Sequence, residues 1–356
     1  MSVVGTRSSQ LHLLASCTLL LGMAGCVTQP ALTPATLSAK GAVSSPQNAD
    51  PEMRAGVIAR NERFMVYLPR AEDTLASVAR EFLGSERRAW EITQFNDIAA
   101  ASPGQAIVIP LRPVNALGIS ANGYQTVPIL CYHRLGPRTS LMVMPRETFA
   151  AQMEYLARNN YNVIRLADLP DFLTGKLPLP PRAVAITFDD GHVSSYQYAY
   201  PILQKHGFAA TFFLYTDFLG GGEGLSWAQI NDMSKSGLID FQSHSKSHTN
   251  LIVRQAGESD QRYRERVETE LRVPRGVIER NVPVKVTHHA FPYGDANPVV
   301  LERLTQTGHQ LGLTVNPGGN AFFAYPLMLR RTMIFGGASM ESFRLALQVF
   351  HETNLR

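Results

Sequence analysis

The sequence predicts an α/β protein: a parallel sheet covered by helices and wound toward a barrel, with a small two-layer unit ahead of it. Three observations predict this. From residue 124 onward, short apolar runs alternate with helix-period segments. Ahead of that lies a strand, helix, helix, strand pattern between residues 63 and 112. The 356 residues are 45% hydrophobic and 17% charged, enough apolar material for a sizeable core and a poor match to collagen-like, disordered or coiled-coil chains. The net charge of +4, without a dense basic run, falls short of a nucleic-acid footprint, so no nucleic-acid partner is expected.

Residues 1–25 read as an export signal, with Arg7 ahead of the apolar stretch 11–23 and small residues after it. A spanning helix needs about 20 apolar residues, and this stretch is shorter and interrupted by His12, Ser16 and Thr18. Leu21-Gly22-Met23-Ala24-Gly25-Cys26 resembles a bacterial lipobox, with Met23 where Leu is more usual. The resemblance implies cleavage before Cys26, lipid attachment to its thiol and membrane association through that anchor; an ordinary secretory signal with an incidental cysteine is the alternative. Val27 after Cys26, by resemblance to lipoprotein sorting rules, points to the outer rather than the inner membrane, on the periplasmic face of the envelope. Residues 26–62, rich in Ala, Pro, Thr, Ser and Gln, suit a flexible tether. With Cys17 removed and Cys26 lipidated, Cys131 is the single thiol left in the mature body, so no internal disulfide can form. Its apolar neighbours predict a buried structural cysteine rather than a nucleophile.

Residues 63–112 carry an apolar run at 64–67, helical patterns at Leu75, Val78, Ala79 and Phe82 and around Trp90, Ile92 and Phe95, and a second apolar run at 107–110. Tyr67, Asp73-Thr74-Leu75, Val78-Ala79, Phe82, Trp90, Ile92, Asn96, Pro103-Gly104-Gln105 and 107–110 together resemble a LysM module. The resemblance implies a βααβ fold that binds N-acetylglucosamine-containing glycans. Glu72 stands where that family usually has Gly, which bears on the turn and hence on binding; a spacer without ligand is the alternative.

A linker is expected at 113–123 and a single domain at 124–356. Apolar runs at 127–132, 163–166, 183–188, 210–215, 239–241, 289–291, 311–315 and 327–334 predict strands. Helical patterns at 146–158, 194–206, 226–235, 258–281 and 298–307 lie between most of them, the third opening on Ser226-Trp227-Ala228-Gln229, a capping box. About seven such units suggest a barrel, whose functional residues cluster where strands end.

Two polar clusters follow predicted strands: Thr187-Phe188-Asp189-Asp190-Gly191 and Ser243-His244-Ser245-Lys246-Ser247-His248. Histidines four apart on a helical turn share a face and can chelate one ion, and a carboxylate from a neighbouring strand end supplies a third ligand, leaving a Zn²⁺-like centre one open position for water. One of the adjacent carboxylates can bind metal while the other stays free as a base. Alone, Asp-Asp-Gly reads equally as a solvated turn and the histidine pair as surface decoration; at the same end of one α/β pattern they are harder to dismiss.

Residues 124 to 349 resemble a polysaccharide deacetylase domain of the NodB-homology type, carbohydrate esterase family 4, through 187–191, His244-Ser245-x-x-His248 and Phe291-Pro292-Tyr293-Gly294. Ile129-Leu130-Cys131-Tyr132-His133 resembles the opening strand of the branch that deacetylates poly-N-acetylglucosamine. The resemblance implies a distorted (β/α)7 barrel, one divalent metal (zinc, with cobalt or nickel as alternatives) and hydrolysis of N-acetyl groups from glycan amino sugars. By position, Asp190, His244 and His248 match the metal ligands, Asp189 the catalytic base, His133 the general acid and the backbone N–H of Tyr293 an oxyanion donor. The Arg that commonly opens the Pro-containing motif is absent, as is the usual late Leu-x-His segment. Arg331, in a late strand resembling the same branch, could brace Asp189 instead; a surface or glycan-contacting role is the alternative, since a one-residue register shift reverses its direction. His192 could line the cleft or be a loop histidine, and His288 and His289 receive no role.

The expected function is therefore a lipid-anchored, metal-dependent N-deacetylase acting on an N-acetylglucosamine polymer of the cell envelope. The His133 motif favours exopolysaccharide and the LysM resemblance favours peptidoglycan. An O-acetyl esterase and a non-catalytic glycan-binding lipoprotein with a scaffold barrel are the rivals.

Overall fold

The computed structural model describes residues 56–355, so the export signal, Cys26 and nearly all of the tether lie outside the described residues. The chain is already in strand at β1 (Val57–Arg60), ahead of the expected boundary at 63. It pairs antiparallel with β2 (Phe64–Tyr67), which pairs with β3 (Ile107–Pro110). Helices α1 (Leu75–Leu83) and α2 (Ala89–Asn96) cover this sheet. Thr74 and Ser77 form a reciprocal capping box at the start of α1, and Gly84 closes it at φ 78°, a left-handed cap that glycine adopts without Cβ strain. The Asn96 amide donates to the Val108 carbonyl and accepts from the Val108 N–H, each at 2.7 Å, tying α2 to the edge strand β3. Met65, Tyr67, Val78, Ala79, Ile92, Ile107 and Ile109 are the buried core of this unit.

The second body is a curled parallel sheet. Strands β4 (Val127–Tyr132), β5 (Ala183–Phe188), β6 (Ala210–Leu214), β7 (Ile239–Ser243), β8 (His288–Ala290) and β9 (Leu311–Leu313) lie side by side in chain order. A short β10 (Thr332–Met333) runs parallel to β4, while Leu329, just before it, bridges Leu313 of β9. This seventh, irregular strand closes the ring. The helices at 146–158, 226–235, 258–281 and 298–307 appear as α3 (Arg146–Arg158), α4 (Trp227–Lys235), α5 (Asp260–Asn281) and α6 (Pro298–Gln306), with the Ser226–Gln229 capping box formed.

Several elements differ from the sequence expectation, each for a local reason. The run 327–334 is not one strand: Pro326–Met328 is a turn of 3-10 helix, and the Arg330 N–H and C=O bond to the Asn320 side-chain amide at 2.9 Å each instead of to a neighbouring strand. Gly312 permits that turn to pass close over β9, since a Cβ there would lie 2.4 Å from the Leu327 carbonyl oxygen. Of the run 163–166 only Val163 is in strand, in the two-residue Asn162–Val163, which pairs with the start of β5. The helix expected at 194–206 opens as a π turn over Ser195–Ala199; Pro201 lacks an N–H, and the widened turn accommodates it. Within the expected linker, Ile119–Ser120 and Gly123–Gln125 form a small sheet with Phe350–Glu352. Among the described residues no helix is long and apolar enough to cross a membrane.

Side-chain alternation divides the core. On β5, Val184, Ile186 and Phe188 join the layer beneath the helices, whereas Ala183 and Ala185 join the apolar floor inside the ring. On β4, Leu130 and Tyr132 face the helices and Val127 and Ile129 face inward. Carried to the strand ends, the same parity turns Cys131, His133, Thr187 and Asp189 into the ring.

Asp240, on the inward register of β7, shows the cost of a polar floor. Burial raises its carboxyl from 3.8 to about 6, against a 3.0 Å hydrogen bond from Gln242 and the charge of Arg165. Because the folded state holds this proton more tightly than the unfolded chain, the stability it contributes is full below about pH 4 and lost as pH rises through about 6. Asp240→Asn should therefore stabilise the protein at pH 7.5 by on the order of 1 to 3 kcal/mol and change little near pH 4, measured by urea unfolding at both values.

Candidate metal centre and catalytic site

The ends of β4, β5, β7 and β8 and the closing strand converge on one polar cluster. Asp190 adopts φ 75° and Gly191 φ 82°, so the chain turns sharply after Asp189 and the two neighbouring carboxylates point to different partners. A side chain on Gly191 would be strained at φ 82° and would bring its Cβ 2.8 Å from a Leu214 methyl, so glycine suits this turn.

Asp190 faces the histidines. Its Oδ1 lies 3.6 Å from His244 Nε2 and 3.3 Å from His248 Nε2, and the three donor atoms fall within 4.8 Å of one another. Nitrogen and oxygen ligands on one tetrahedral zinc-like centre stand about 3.3 Å apart, so this donor set fits a single divalent ion. His244 Nδ1 lies 2.8 Å from the Ala290 carbonyl, which can only accept; Nδ1 therefore carries the proton and Nε2 presents its lone pair to the site.

The two histidines do not share a helical turn, contrary to the expectation from their spacing. Ser245 (φ 70°) and His248 (φ 60°) are left-handed, and residues 244–248 form a loop. Glu270, from α5, gathers that loop: its carboxylate accepts from the Lys246 and Ser247 N–H groups at 2.9 Å and from the Ser247 hydroxyl at 2.7 Å. The Ser245 hydroxyl accepts from the His248 N–H at 2.9 Å.

Asp189 points inward to Arg331. Guanidinium and carboxylate form two parallel hydrogen bonds of 2.6 and 2.8 Å, with Arg331 fully buried and Asp189 2% exposed. Arg331 Nε donates to the Thr314 carbonyl at 2.9 Å, so the surface orientation left open from sequence is not the one adopted. Burial alone would raise the Asp189 carboxyl; the charge of Arg331, then His244 and the Arg331 hydrogen bonds, overturn that and hold it well below the ordinary carboxylate range. Cys131 Sγ donates to Asp189 Oδ2 at 3.4 Å, and burial pushes that thiol well up, so it stays protonated.

His133 is half-buried at the end of β4, and burial, opposed by the Asp189 and Asp190 charges, lowers its imidazole. Tyr293 sits at φ 63° in the Pro292–Gly294 turn, with its exposed ring 5.1 Å from that of His248. Tyr215 lies 5.1 Å from His248 on another side. His192 is buried, stands 3.3 Å from Asp190 Oδ2 and accepts from Arg134 Nε at 2.9 Å, which puts it at the site rather than in a solvated loop. His288 and His289 are buried in β8; burial takes His288 down to about 4, and His289 Nδ1 pairs with the Ser243 hydroxyl at 3.1 Å.

Sequence reasoning missed Cys131 as a neighbour of Asp189, Glu270 as the organiser of the histidine loop, and Tyr215. Alternation along 127–133 and 183–189 carries the signal for the first. Glu270 and Tyr215 have no local signal, because only tertiary packing brings them to the site.

Residues 176–312 match the family of polysaccharide deacetylases. The chain is 30% identical over 217 residues to YxkH of Bacillus subtilis, assigned to the polysaccharide deacetylases, covering 61% of this chain and 74% of that one. It is 27% identical over 215 residues to the poly-beta-1,6-N-acetyl-D-glucosamine N-deacetylase of Escherichia coli, covering 51% of this chain and only 31% of the relative's length. The solved structure of IcaB from Ammonifex degensii superposes with a TM-score of 0.56 at 25% identity, over 64% of this chain and 98% of that one. With this extent of identity and coverage, and with the family match over 176–312, the chain belongs to the polysaccharide deacetylase family, hydrolases that act on amides.

Proposed function

We propose that this chain hydrolyses N-acetyl groups from an N-acetylglucosamine-containing polysaccharide of the cell envelope, with poly-N-acetylglucosamine exopolysaccharide favoured over peptidoglycan. The observation that carries the reading is the pairing of a three-donor metal set, Asp190, His244 and His248, with a second carboxylate, Asp189, clamped beside it by Arg331. The names of the poly-beta-1,6-N-acetyl-D-glucosamine N-deacetylases matched along this domain support the exopolysaccharide over the wall glycan.

In this reading Asp190, His244 and His248 hold one divalent cation, zinc, with cobalt or nickel as alternatives. When bound, it supplies Lewis-acid polarisation of the acetamide carbonyl and of the attacking water. Asp189 is the base: Arg331 keeps it ionised and fixes its direction, so an oxygen is always ready to accept the water proton. His133, kept neutral by burial and with a ring nitrogen within 4.8 Å of an Asp189 oxygen, relays that proton to the departing amine nitrogen, which cannot leave as an anion. The Tyr293 N–H, in its left-handed turn, donates to the developing oxyanion, and the Tyr293 and Tyr215 rings wall the sugar.

Residues 63–112 would act as a LysM-like glycan-binding module, supported by the Asp73-Thr74-Leu75 start of α1 and by the 2.7 Å bond from the Tyr67 hydroxyl to Asp73 that sets the preceding turn. Cys26, by its lipobox-like context, would anchor the protein through lipid to the periplasmic face of the outer membrane.

Purified protein should release acetate from poly-β-1,6-N-acetylglucosamine oligomers faster than from peptidoglycan fragments, lose that activity on chelation and regain it with Zn²⁺, Co²⁺ or Ni²⁺. Activity that survives chelation refutes the mechanism. Asp189→Asn should lower kcat by about 10²- to 10⁴-fold while the protein still binds one metal equivalent, read by acetate release and metal analysis together. Arg331→Met strands a buried carboxylate and should cost about 3 to 5 kcal/mol in urea unfolding, whereas Arg331→Met combined with Asp189→Leu should recover part of that loss.

A further inference from the structure

The buried thiol beside the base has no part in this chemistry, yet its surroundings have the makeup of a second metal centre. Alternation along β4 turns Cys131 and His133 to the face that Asp189 shares. One ligand atom from each of Cys131, His133 and Asp189 lies within 4.8 Å of the others. Sulfur and oxygen ligands at about 2.3 and 2.0 Å from a tetrahedral centre stand about 3.5 Å apart. The Cys131 Sγ to Asp189 Oδ2 separation is 3.4 Å, so that edge needs no rearrangement. Arg331 takes one bond on each Asp189 oxygen, and each oxygen retains a further lone pair. Unlike the first set, this one carries sulfur, which selects a soft cation.

We propose that Cys131, His133 and Asp189 form a second, weaker site for a soft divalent cation, zinc or cadmium in excess, whose filling silences Asp189. Binding forms a metal–sulfur bond and releases the thiol proton to solvent. The Arg331 cation is bonded to both Asp189 oxygens and stays beside any ion bound there, so the site fills only after the Asp190, His244 and His248 set. The silencing rests on the reading of Asp189 as base; the binding does not.

The test is a titration of metal-free full-length protein with Cd²⁺, following the ultraviolet sulfur-to-cadmium charge-transfer band, in a Cys17→Ser/Cys26→Ser background that removes the other two thiols. The first set contains no sulfur and gives no such band. We expect the band to rise after one equivalent is bound, to persist in His248→Ala, to vanish in Cys131→Ser, and to need about tenfold or more Cd²⁺ in His133→Ala. No band, a band surviving Cys131→Ser, or an unchanged His133→Ala titration overturns the site. Circular dichroism checks each fold, and should Cys131→Ser unfold, His133→Ala at its half-buried position decides. Acetate release under excess Zn²⁺ should fall as the site fills and return with a weak chelator; a band without that fall overturns the silencing. A band in a protein that never releases acetate supports the site and refutes the functional reading above.

Discussion

Removing a guanidinium and a carboxylate from water costs several kcal/mol per ion, and only near-ideal geometry returns it. Arg331 and Asp189 meet that requirement with two parallel hydrogen bonds, and two further Arg331 N–H groups reach Thr314 and Thr187. The rest of the site depends on this pair. It commits Asp189 to the ring interior, which leaves Asp190 to turn through its left-handed backbone toward His244 and His248. Two carboxylates adjacent in sequence thereby acquire unlike surroundings.

The scaffold around the pair is an exercise in parity. Small inward residues, Ala183 and Ala185 on β5 and Ala290 on β8, let the ring close over an apolar floor, and polar residues replace them only at the strand ends. Where the polar register reaches further down, as at Asp240 and Gln242, side chains take over bonding that the backbone leaves open. Gln242 accepts from the Thr287 and His288 N–H groups at 2.9 and 2.8 Å, across a β7–β8 contact with a single register pair at Ser243 and His289.

Much of this was legible in the sequence because its signals are local. The apolar runs at 127–132 and 183–188, alternating with helical patterns, read as strands of a parallel sheet. The capping box read at Ser226 marks a real helix start. The motif residues Asp189, Asp190, His244 and His248 gather as their strand-end positions predict. What escaped is tertiary. A four-residue histidine spacing fits a helix or a loop equally, and the loop prevails because Glu270, far along the chain, supplies the acceptors. The direction of Arg331 could not be read from a run whose regularity is broken by the Asn320 amide.

The irregular seventh strand has a kinetic meaning. It carries Arg331 and also completes the ring between β9 and β4, on few backbone pairings. Sheet closure and orientation of the Asp189 carboxylate therefore depend on one short segment. Should that segment open while the six regular strands hold, helix and sheet content would be nearly unchanged and Asp189 would lose its partner and its orientation. Warming would then disorder the site before it melted the sheet, a local opening ahead of global unfolding.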